Sequence, residues 1–449
     1  MSQSLTQAAQ AASAPDDEAS DDVVAKVARR LIPFLVIGFI VAYLDRVNIG
    51  FAALKMNKEM GFTPEFFGAA AGVFFLGYCL FEAPSNYILH RVGARIWIAR
   101  IMISWGAISA LTAFVWSGAS FVGLRLALGF AEAGFAPGVI LYLTYWIPAA
   151  QRARILGAFL FAVPLASAFG APISGSLLGT MDGVGGISGW RWLFLIEAAP
   201  AIVLGVVAFF YLPDCPREAK WLTHDERELL QARLDAERRP ASEGENHWRA
   251  LRNPRVFVLG AAYFGIVVSL YGVGFWLPQI ISTFGVGVVA AGFLTAIPYV
   301  FGVLAMALWG WLSDAREERV AHTSAVALIA CFGLAASAAY AEAPFLAMAA
   351  LSVASMGTLA ALPTFWSLTT LTLAGADLVV GVALVNSIGN LSGFVGPYFV
   401  GWLKGATGDF SHALLGLVVG PLLTAALLPR IAKGDWRALI RWPAVKRRA

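Results

Sequence analysis

Twelve apolar runs of about 20 residues constrain the fold of this chain more than any other feature of its sequence. A run of that length spans the roughly 30 Å hydrocarbon core of a bilayer when it forms an α-helix. We expect spanning helices at roughly 31–54, 66–89, 95–115, 119–146, 155–179, 190–212, 255–283, 288–313, 322–341, 345–373, 378–403 and 410–429. The sequence therefore predicts an all-α membrane protein with twelve transmembrane helices.

The composition agrees with a chain that lies mostly in lipid. Only 13% of the 449 residues are charged, whereas a soluble globular chain has about 25%. The 45 glycines suit close helix packing in a bilayer, and the net charge of +4 gives no indication of a nucleic-acid partner. The three cysteines (Cys79, Cys215 and Cys331) are odd in number and widely spaced, which predicts neither a disulfide framework nor a metal site.

Polar segments between the apolar runs predict the domain boundaries. Residues 1–30 begin with a polar, acidic stretch that lacks the features of a signal peptide, and we expect them to be disordered in the cytoplasm. Residues 213–254 are predicted to be a cytoplasmic linker with an amphipathic surface helix, in which Thr223 and Glu226 can form a capping box. Two six-helix bundles, at 31–212 and 255–429, and a basic cytoplasmic tail at 430–449 complete the predicted organisation.

The distribution of Lys and Arg over the short loops predicts the orientation in the membrane. Basic residues flank the even-numbered loops and both ends of the chain, as with Arg316 and Arg319 after the eighth run. Odd-numbered loops such as 116–120 and 282–287 carry no charge. Both termini are therefore predicted to be cytoplasmic.

Four charged residues lie inside the apolar runs. The first run carries Asp45 and Arg46, and the fourth carries Arg125 and Glu132, which are two helical turns apart and share a face. An ionised side chain in hydrocarbon is costly, so such residues usually face a protein interior or a water-filled cavity. Helical rise places Asp45 about 9 Å and Arg125 about 6 Å below one surface, so they are expected to pair.

Two alternatives remain open for these charges. Arg125 could extend to the membrane surface from near its helix end. Glu132 could make a structural hydrogen bond to a neighbouring helix. If neither alternative holds, the four residues predict a polar path through the bilayer.

An internal repeat divides the chain into two halves. Aligning His90 with Asp314 gives an offset of 224 residues, and each lies in the loop between the second and third helix of its half. Parallel six-helix halves around a central cavity are a recurrent transporter design.

These loops resemble the loop motif of the major facilitator superfamily. The matching residues, which the resemblance implies take part in gating, are Arg91, Gly93, Arg95, Gly310 and Asp314. The first half has Asn86 where the motif has Gly and His90 where it has Asp. We expect His90 to make a weaker version of the carboxylate contact to a neighbouring helix.

Longer segments between about Leu31 and Gly401 resemble the anion:cation symporter family. They include YLDRVNIGFAAL, LALGFAEAGFAPGVILYLTYW, GWRWLFLIEAAPA and NSIGNLSGFVGP. The resemblance implies proton-coupled import of an organic anion, such as tartrate, a sugar acid or an aromatic acid, across a bacterial inner membrane by alternating access. It implies a monomer, and no cofactor beyond the coupling proton. It assigns proton coupling to Asp45 and Glu132 and substrate binding to Arg46 and Arg125.

Further polar residues are candidates for substrate binding because intramembrane polar groups need partners. They are Tyr78, Gln279, Ser367, Asn386 and Asn390. Packing roles are an alternative for each aromatic and small residue, and Glu82 is expected to form a structural ion pair.

Other functional classes are less consistent with the sequence. No HExxH, GxSxG or metal-spaced Cys and His cluster indicates an enzyme, and no Walker A motif indicates an ATP-driven pump. A receptor or sensor would need an output domain, and the polar middle has only about forty residues. A drug efflux antiporter of the same superfamily remains the alternative, although arginines beside central carboxylates favour an anionic substrate.

Overall fold

The computed structural model describes residues 14–237, 253–316, 318–373 and 376–432, and the regular secondary structure in these ranges is entirely helical. Twelve helical segments in them are long and apolar enough to cross a membrane. We number these segments as spans 1 to 12: Asp21–Met60, Pro64–Val92, Ala94–Phe114, Gly118–Thr144, Phe159–Thr180, Gly189–Tyr211, Pro254–Gly274, Val288–Arg316, Arg319–Ala339, Pro344–Thr372, Val380–Thr407 and Ser411–Arg430. The prediction of an all-α membrane protein with twelve spanning helices is confirmed.

Several spans are interrupted or extended. Span 1 consists of helices Ala14–Val47 and Ile49–Met60, span 4 of Gly118–Glu132 and Phe135–Thr144, and span 12 of Ser411–Leu417 and Val419–Ala432. Span 5 belongs to helix Ala149–Thr180 and span 11 to helix Ala376–Thr407, while span 3 is helix Ala94–Leu111 with a 3-10 turn at Thr112–Phe114. The short helix Leu277–Ser282 follows span 7, and the linker holds helix His224–Glu237. Two further 3-10 turns lie at Val184–Gly186 and Pro216–Glu218.

The interruption of span 4 comes directly after Glu132. Gly134 has a φ of 87°, a left-handed conformation that glycine adopts without strain. A side chain on Gly134 would also collide with Ser85, because its Cβ would lie 2.1 Å from the Ser85 hydroxyl. The glycine therefore fixes where the helix ends, and the end places Glu132 beside span 1.

Spans 1 to 6 and spans 7 to 12 form two bundles. Across the described ranges, span 2 packs on span 11, span 5 packs on spans 8 and 10, and helix Ile49–Met60 packs on helix Leu277–Ser282. We call the side with the loops after spans 1, 3, 5, 7, 9 and 11 the odd-loop face, and the opposite side the even-loop face. In the described ranges, span 4 does not pack on span 10 to a comparable extent.

Glycines bring the two halves into backbone contact near the odd-loop face. A Cβ on Gly401 would lie 2.3 Å from the carbonyl oxygen of Pro64, and one on Gly50 would lie 2.6 Å from that of Phe275. These distances leave no room for a side chain. The halves are therefore closely sealed at the odd-loop face.

The N-terminal segment corrects one sequence prediction. Residues 1–13 lie outside the described range, but residues 14–30, which were predicted to be disordered, form the first turns of helix Ala14–Val47. Val24, Val27 and Leu31 are buried at helical spacing, so this part of the helix has its own apolar face. The helical spacing of these apolar residues outweighs the polar composition of the segment, so a helix forms where disorder was predicted.

The linker helix His224–Glu237 docks on the first half. It contacts the start of helix Ala14–Val47, where the Lys26 ammonium donates to Glu226 at 2.8 Å and Arg233 pairs with Asp21 at 2.7 Å. Thr223 and Glu226 exchange the two bonds of a capping box. The hydrogen bond from Lys26 lowers the pKa of Glu226 below its ordinary value. Linker residues 238–252 and tail residues 433–449 lie outside the described ranges.

Candidate transport site

The guanidinium of Arg46 is the centre of the candidate site. Arg46 lies in the last turn of helix Ala14–Val47, just before the interruption of span 1. Its Nη2 forms a salt bridge with Oε1 of Glu132, and its Nη1 donates to the Tyr271 hydroxyl at 3.1 Å. Spans 1, 4 and 7 therefore meet at one side chain that connects the two halves.

Four aromatic rings surround this guanidinium. Their centroids lie between 5.2 and 5.9 Å from Cζ of Arg46, and they belong to Tyr43, Phe74, Phe75 and Tyr78. Cation–π contacts of this kind are worth about 0.5–2 kcal/mol each. The rings hold the cation in place without neutralising it, so its charge remains available to an anion.

Glu132 is buried, with 1% of its surface exposed, and Oε2 of its carboxyl group has no hydrogen-bond partner in the described protein. A buried carboxylate oxygen without a partner is costly when it is ionised. The oxygen can therefore accept either a proton or a donor from a ligand.

Arg125 is also buried, with 1% exposed, so the alternative in which it extends to the membrane surface is wrong. Its Nη2 donates to the carbonyl of Ala71 at 3.1 Å, and its guanidinium lies 5.1 Å from the Phe74 centroid. Across the described ranges it makes no salt bridge within 4.0 Å. The ring of Phe74 contacts both Arg125 and Arg46, so the two cations share one aromatic surface.

Asp45 does not pair with Arg125, which corrects the expectation drawn from depth. Its carboxylate accepts from the Trp105 indole at 2.8 Å and from the Ser109 hydroxyl at 3.4 Å, both on span 3. Consecutive helical residues point about 100° apart. Asp45 therefore faces span 3, while Arg46 faces spans 2, 4 and 7.

The other candidates lie at different levels of the interface between the halves. Tyr78 is buried under Arg46. Asn386 donates to the Glu82 carboxylate at 3.1 Å, so the partner of Glu82 is an amide of the other half and not a cation as expected. Asn390, one turn further along span 11, is half-buried and has no hydrogen-bond partner among the described side chains.

Gln279 and Ser367 lie apart from Arg46. Gln279 belongs to helix Leu277–Ser282 at the sealed odd-loop face, and its amide nitrogen is buried without a partner in the described part of the chain. Ser367 is half-buried on span 10, where its carbonyl accepts from Thr370. The structure thus brings Arg46, Glu132, Tyr78 and Tyr271 together. Arg125 contacts the same Phe74 ring as Arg46.

The loop residues of the superfamily motif are organised by an acid that the sequence analysis missed. Oδ1 of Asp214, which follows span 6, accepts from the backbone N–H of Arg95 at 2.8 Å. Gly93 has a φ of 98°, and a Cβ there would lie 3.0 Å from the same carboxylate. Asp214 therefore caps span 3 and interacts favourably with its helix dipole.

The remaining motif residues make local contacts. His90 lies 3.1 Å from the Tyr145 hydroxyl, which joins the ends of spans 2 and 4, and Arg91 lies over the ring of Tyr87 at 4.6 Å. In the second half, Asp314 pairs with Arg319 at 2.5 Å, while open space surrounds Gly310. No local sequence signal distinguishes Asp214, because the residue that it contacts, Arg95, lies 119 positions away in the sequence.

Comparison with known proteins identifies the family. The model of the Major Facilitator Superfamily matches residues 35–397, which is most of the chain. The chain belongs to the Major Facilitator Superfamily. It is therefore a multi-pass membrane transporter with a small-molecule substrate, not an enzyme.

Two relatives and one solved structure show the range of similar transporters. A protein of Agrobacterium vitis named "Putative tartrate transporter" is 48% identical over 410 residues, which are 91% of each chain. A "Quinolone resistance transporter" of Acinetobacter baumannii is 38% identical over 89% of this chain and 92% of its own. A bacterial homolog of the human lysosomal transporter Spinster shares the fold, with a TM-score of 0.75, 17% identity, and coverage of 92% of this chain and 98% of the other.

Proposed function

We propose that this transporter is a proton-coupled symporter that imports a small organic anion across a bacterial inner membrane by alternating access. The observation that carries the proposal is the position of Arg46, held between a carboxylate of its own half and a hydroxyl of the other half. The coupling ion is the proton, no other cofactor takes part, and the protein acts as a monomer.

The substrate class follows from the charges at the site. Arg46 offers a planar donor fork that matches a carboxylate, and Arg125 supplies a second buried positive charge near it. The similarity to a protein named as a tartrate transporter also supports a carboxylate. Tyr78, Tyr271 and Asn390 offer neutral hydrogen-bonding groups for the hydroxyls or ring of the acid.

Coupling arises because Glu132 and the substrate compete for Arg46. While Glu132 is ionised, it occupies the guanidinium. A proton on Glu132 removes that competition, and the substrate carboxylate can then take its place. Proton and anion therefore bind with positive coupling, which is reciprocal between the two ligands.

The direction of transport rests on the orientation that the basic loops predict. With the even-loop face in the cytoplasm, the sealed odd-loop face is periplasmic. Loss of the proton from Glu132 to the cytoplasm restores the Arg46 salt bridge and releases the anion.

The test is uptake into proteoliposomes with an imposed pH gradient, using radiolabelled tartrate, a sugar acid and nicotinate in parallel. We expect one of these acids to accumulate when the outside is acidic, and a protonophore to abolish its accumulation. Glu132→Gln should retain exchange of labelled for unlabelled acid but lose accumulation, since a neutral amide cannot release a proton. The exposed loop variant Glu342→Gln serves as the control for charge removal.

Two results would contradict the proposal. Accumulation by Glu132→Gln at the wild-type level would exclude Glu132 as the coupling group. Accumulation of none of the acids by the wild type, whatever the gradient, would exclude import of this class.

Efflux is the second candidate, because of the similarity to a quinolone resistance transporter. It predicts proton-driven transport of a fluoroquinolone in the opposite direction, with no competition from tartrate. Measuring fluoroquinolone movement in the same vesicles separates the two functions.

A further inference from the structure

Glu82 is an acid between the two halves that the proposed transport cycle does not use. It lies on span 2, and its Oε1 accepts from the side-chain amide of Asn386 on span 11 at 3.1 Å. No salt bridge among the described residues involves Glu82. Its Oε2 is shielded from solvent and has no hydrogen-bond partner in the described protein. A shielded acceptor of this kind is costly until a donor reaches it.

The packing of span 2 on span 11 fixes the level of this pair. A Cβ on Gly393 would lie 2.5 Å from the ring of Phe75, and the bond between Asn386 and Glu82 lies seven residues away on each span (75 to 82, and 393 to 386). The two spans are therefore antiparallel and keep one register over this stretch. Asn390 lies one helical turn from Asn386, so two amides of the second half share the face that packs on span 2.

The ring under Arg46 and the Glu82 carboxylate belong to consecutive turns of span 2. The ring of Tyr78 lies 5.3 Å from Cζ of Arg46, and Tyr78 comes four residues before Glu82. Four residues correspond to about 6 Å along a helix. A small acid whose carboxylate binds Arg46 is therefore long enough to reach Glu82 with its far end.

We propose that Glu82 and Asn386 form a second substrate subsite, which binds a hydroxyl group at the far end of an acid whose carboxylate is held by Arg46. The inference rests on the proposed function and deepens it, because it names the hydroxy acids as the substrate class. Binding exchanges a hydrogen bond of the hydroxyl to water for one to Oε2 of Glu82, and no covalent bond changes.

The donors and acceptors of the pair select a hydroxyl. An ionised carboxylate only accepts hydrogen bonds, while each side-chain amide of span 11 also donates. A hydroxyl both donates and accepts, so it can donate to Oε2 of Glu82 and accept from the amide of Asn386 or Asn390. A methyl group at this place leaves Oε2 without a partner, and a second carboxylate is repelled by the charge of Glu82. Among the acids named above, a sugar acid therefore fits, because its far end carries hydroxyls without a second charge.

The test measures binding to the purified protein and does not depend on transport. Kd values come from the rise of Tm with ligand concentration, for 4-hydroxybutanoate and 6-hydroxyhexanoate and for the dicarboxylate and the unsubstituted acid of each length. The two lengths bracket the distance between Arg46 and Glu82. We expect one hydroxy acid to bind the wild type about tenfold or more tightly than both other acids of its own length.

Glu82→Gln keeps the shape of the side chain and removes its charge. The preference for the hydroxy acid over the dicarboxylate should fall to about threefold or less, because the dicarboxylate is no longer repelled. The Kd of the unsubstituted acid should stay at the wild-type value, whereas a merely structural role of Glu82 would weaken the binding of all three ligands together. Glu342→Gln, the exposed loop variant, should keep the wild-type preference.

Asn386→Ala decides the question if Glu82→Gln does not give monodisperse protein. It leaves the charge of Glu82 in place, so the dicarboxylate should still bind weakly, while the hydroxy acid should lose about threefold or more in affinity. The proposal is overturned by a wild-type preference in either variant, by no stabilisation of the wild type with any of these acids, or by tighter binding of 6-aminohexanoate than of 6-hydroxyhexanoate. Absence of proton-driven uptake refutes the proposed function instead and leaves these binding constants unaffected.

Discussion

The two halves of the transporter share a six-helix architecture but differ in where they bury charge. Among the described residues, every buried Asp, Glu, Lys or Arg side chain lies in spans 1 to 6, namely Asp45, Arg125, Glu132 and Glu197. The described buried polar residues of spans 7 to 12 are serines, threonines and one histidine, His322. Where the second half contacts polar groups of the first, it does so with neutral groups, as with Tyr271 on Arg46 and Asn386 on Glu82.

Under the proposed function, this difference divides the work of transport between the halves. Proton-coupled transport of an anion would need groups that change or carry charge, and the buried groups of this kind belong to the first half. A neutral second half can hydrogen-bond to the rest of the substrate without disturbing the balance of charge. We therefore expect coupling to depend on the first half, whereas substrate choice depends on both halves, as at Glu82 and Asn386.

The largest effect should come from removing the charge on which both roles depend. Arg46→Ala leaves Glu132 buried without its cation, and breaking a buried pair typically costs about 3–5 kcal/mol. We expect initial uptake in proteoliposomes to fall at least about 100-fold. An exposed arginine of the second half gives the control, and Arg255→Ala should retain uptake. Wild-type uptake by a folded Arg46→Ala variant would contradict the proposal that transport depends on this charge of the first half.

The seal between the halves should be the next most sensitive feature. Gly401→Ala puts a methyl group about 2.3 Å from the Pro64 carbonyl, and overpacking typically costs about 1–3 kcal/mol. Initial uptake should fall about tenfold or more, because the sealed state becomes less populated. Gly405→Ala, one turn further along the same helix, meets open space and should leave uptake unchanged. Equal behaviour of the two variants would show that this contact does not limit transport.

A smaller effect is expected at the hydrogen bond from Arg46 to Tyr271 of the second half. Tyr271→Phe removes the hydroxyl and leaves the ring, at a cost of about 1 kcal/mol. The KM for the transported acid should rise about 3–10-fold, while the ratio of protons to anions stays the same. Tyr263→Phe, on the same span but packed on Phe365, should behave as wild type. A changed proton ratio in Tyr271→Phe would assign part of the coupling to the second half.

The smallest effect should come from the linker helix, which belongs to the first half. Lys26 lowers the pKa of Glu226, so their pairing stabilises the fold above the ordinary pKa of 4.5 and is lost as the pH falls through the folded value. Exposed pairs contribute about 0.2–1 kcal/mol. We expect Glu226→Gln to lower the Tm of the purified protein slightly at pH 7 and by less at pH 4. A larger loss at pH 4 would contradict this sign.

The sequence predicted the spans well because hydrophobic length and helical rise depend on local composition alone. It also identified which ionisable residues are buried in spans 1 and 4. It could not predict their partners, because depth along a helix says nothing about the direction in which a side chain points. Asp45 and Arg125 were expected at a similar depth, yet Asp45 faces Trp105 and Arg125 faces Ala71.

The same reason explains the residues that sequence reasoning missed. Glu197 lies in an apolar run within GWRWLFLIEAAPA, and only the packing of span 6 on spans 1, 3 and 5 gives it a chemical context. Asp214 lies in a polar loop, where a single acid carries little information until the turn at Gly93 brings Arg95 to it. Long-range geometry, not residue type, determined both positions.

The contact between Asp214 and Arg95 also bears on the order in which the protein folds during its synthesis. Both residues of this contact, and the pair Lys26–Glu226, lie within the first 226 residues. The ribosome therefore completes both of these contacts within the first half before it synthesises the seventh helix. The first half can therefore fold in the membrane before the later helices are made, and those helices then pack against it.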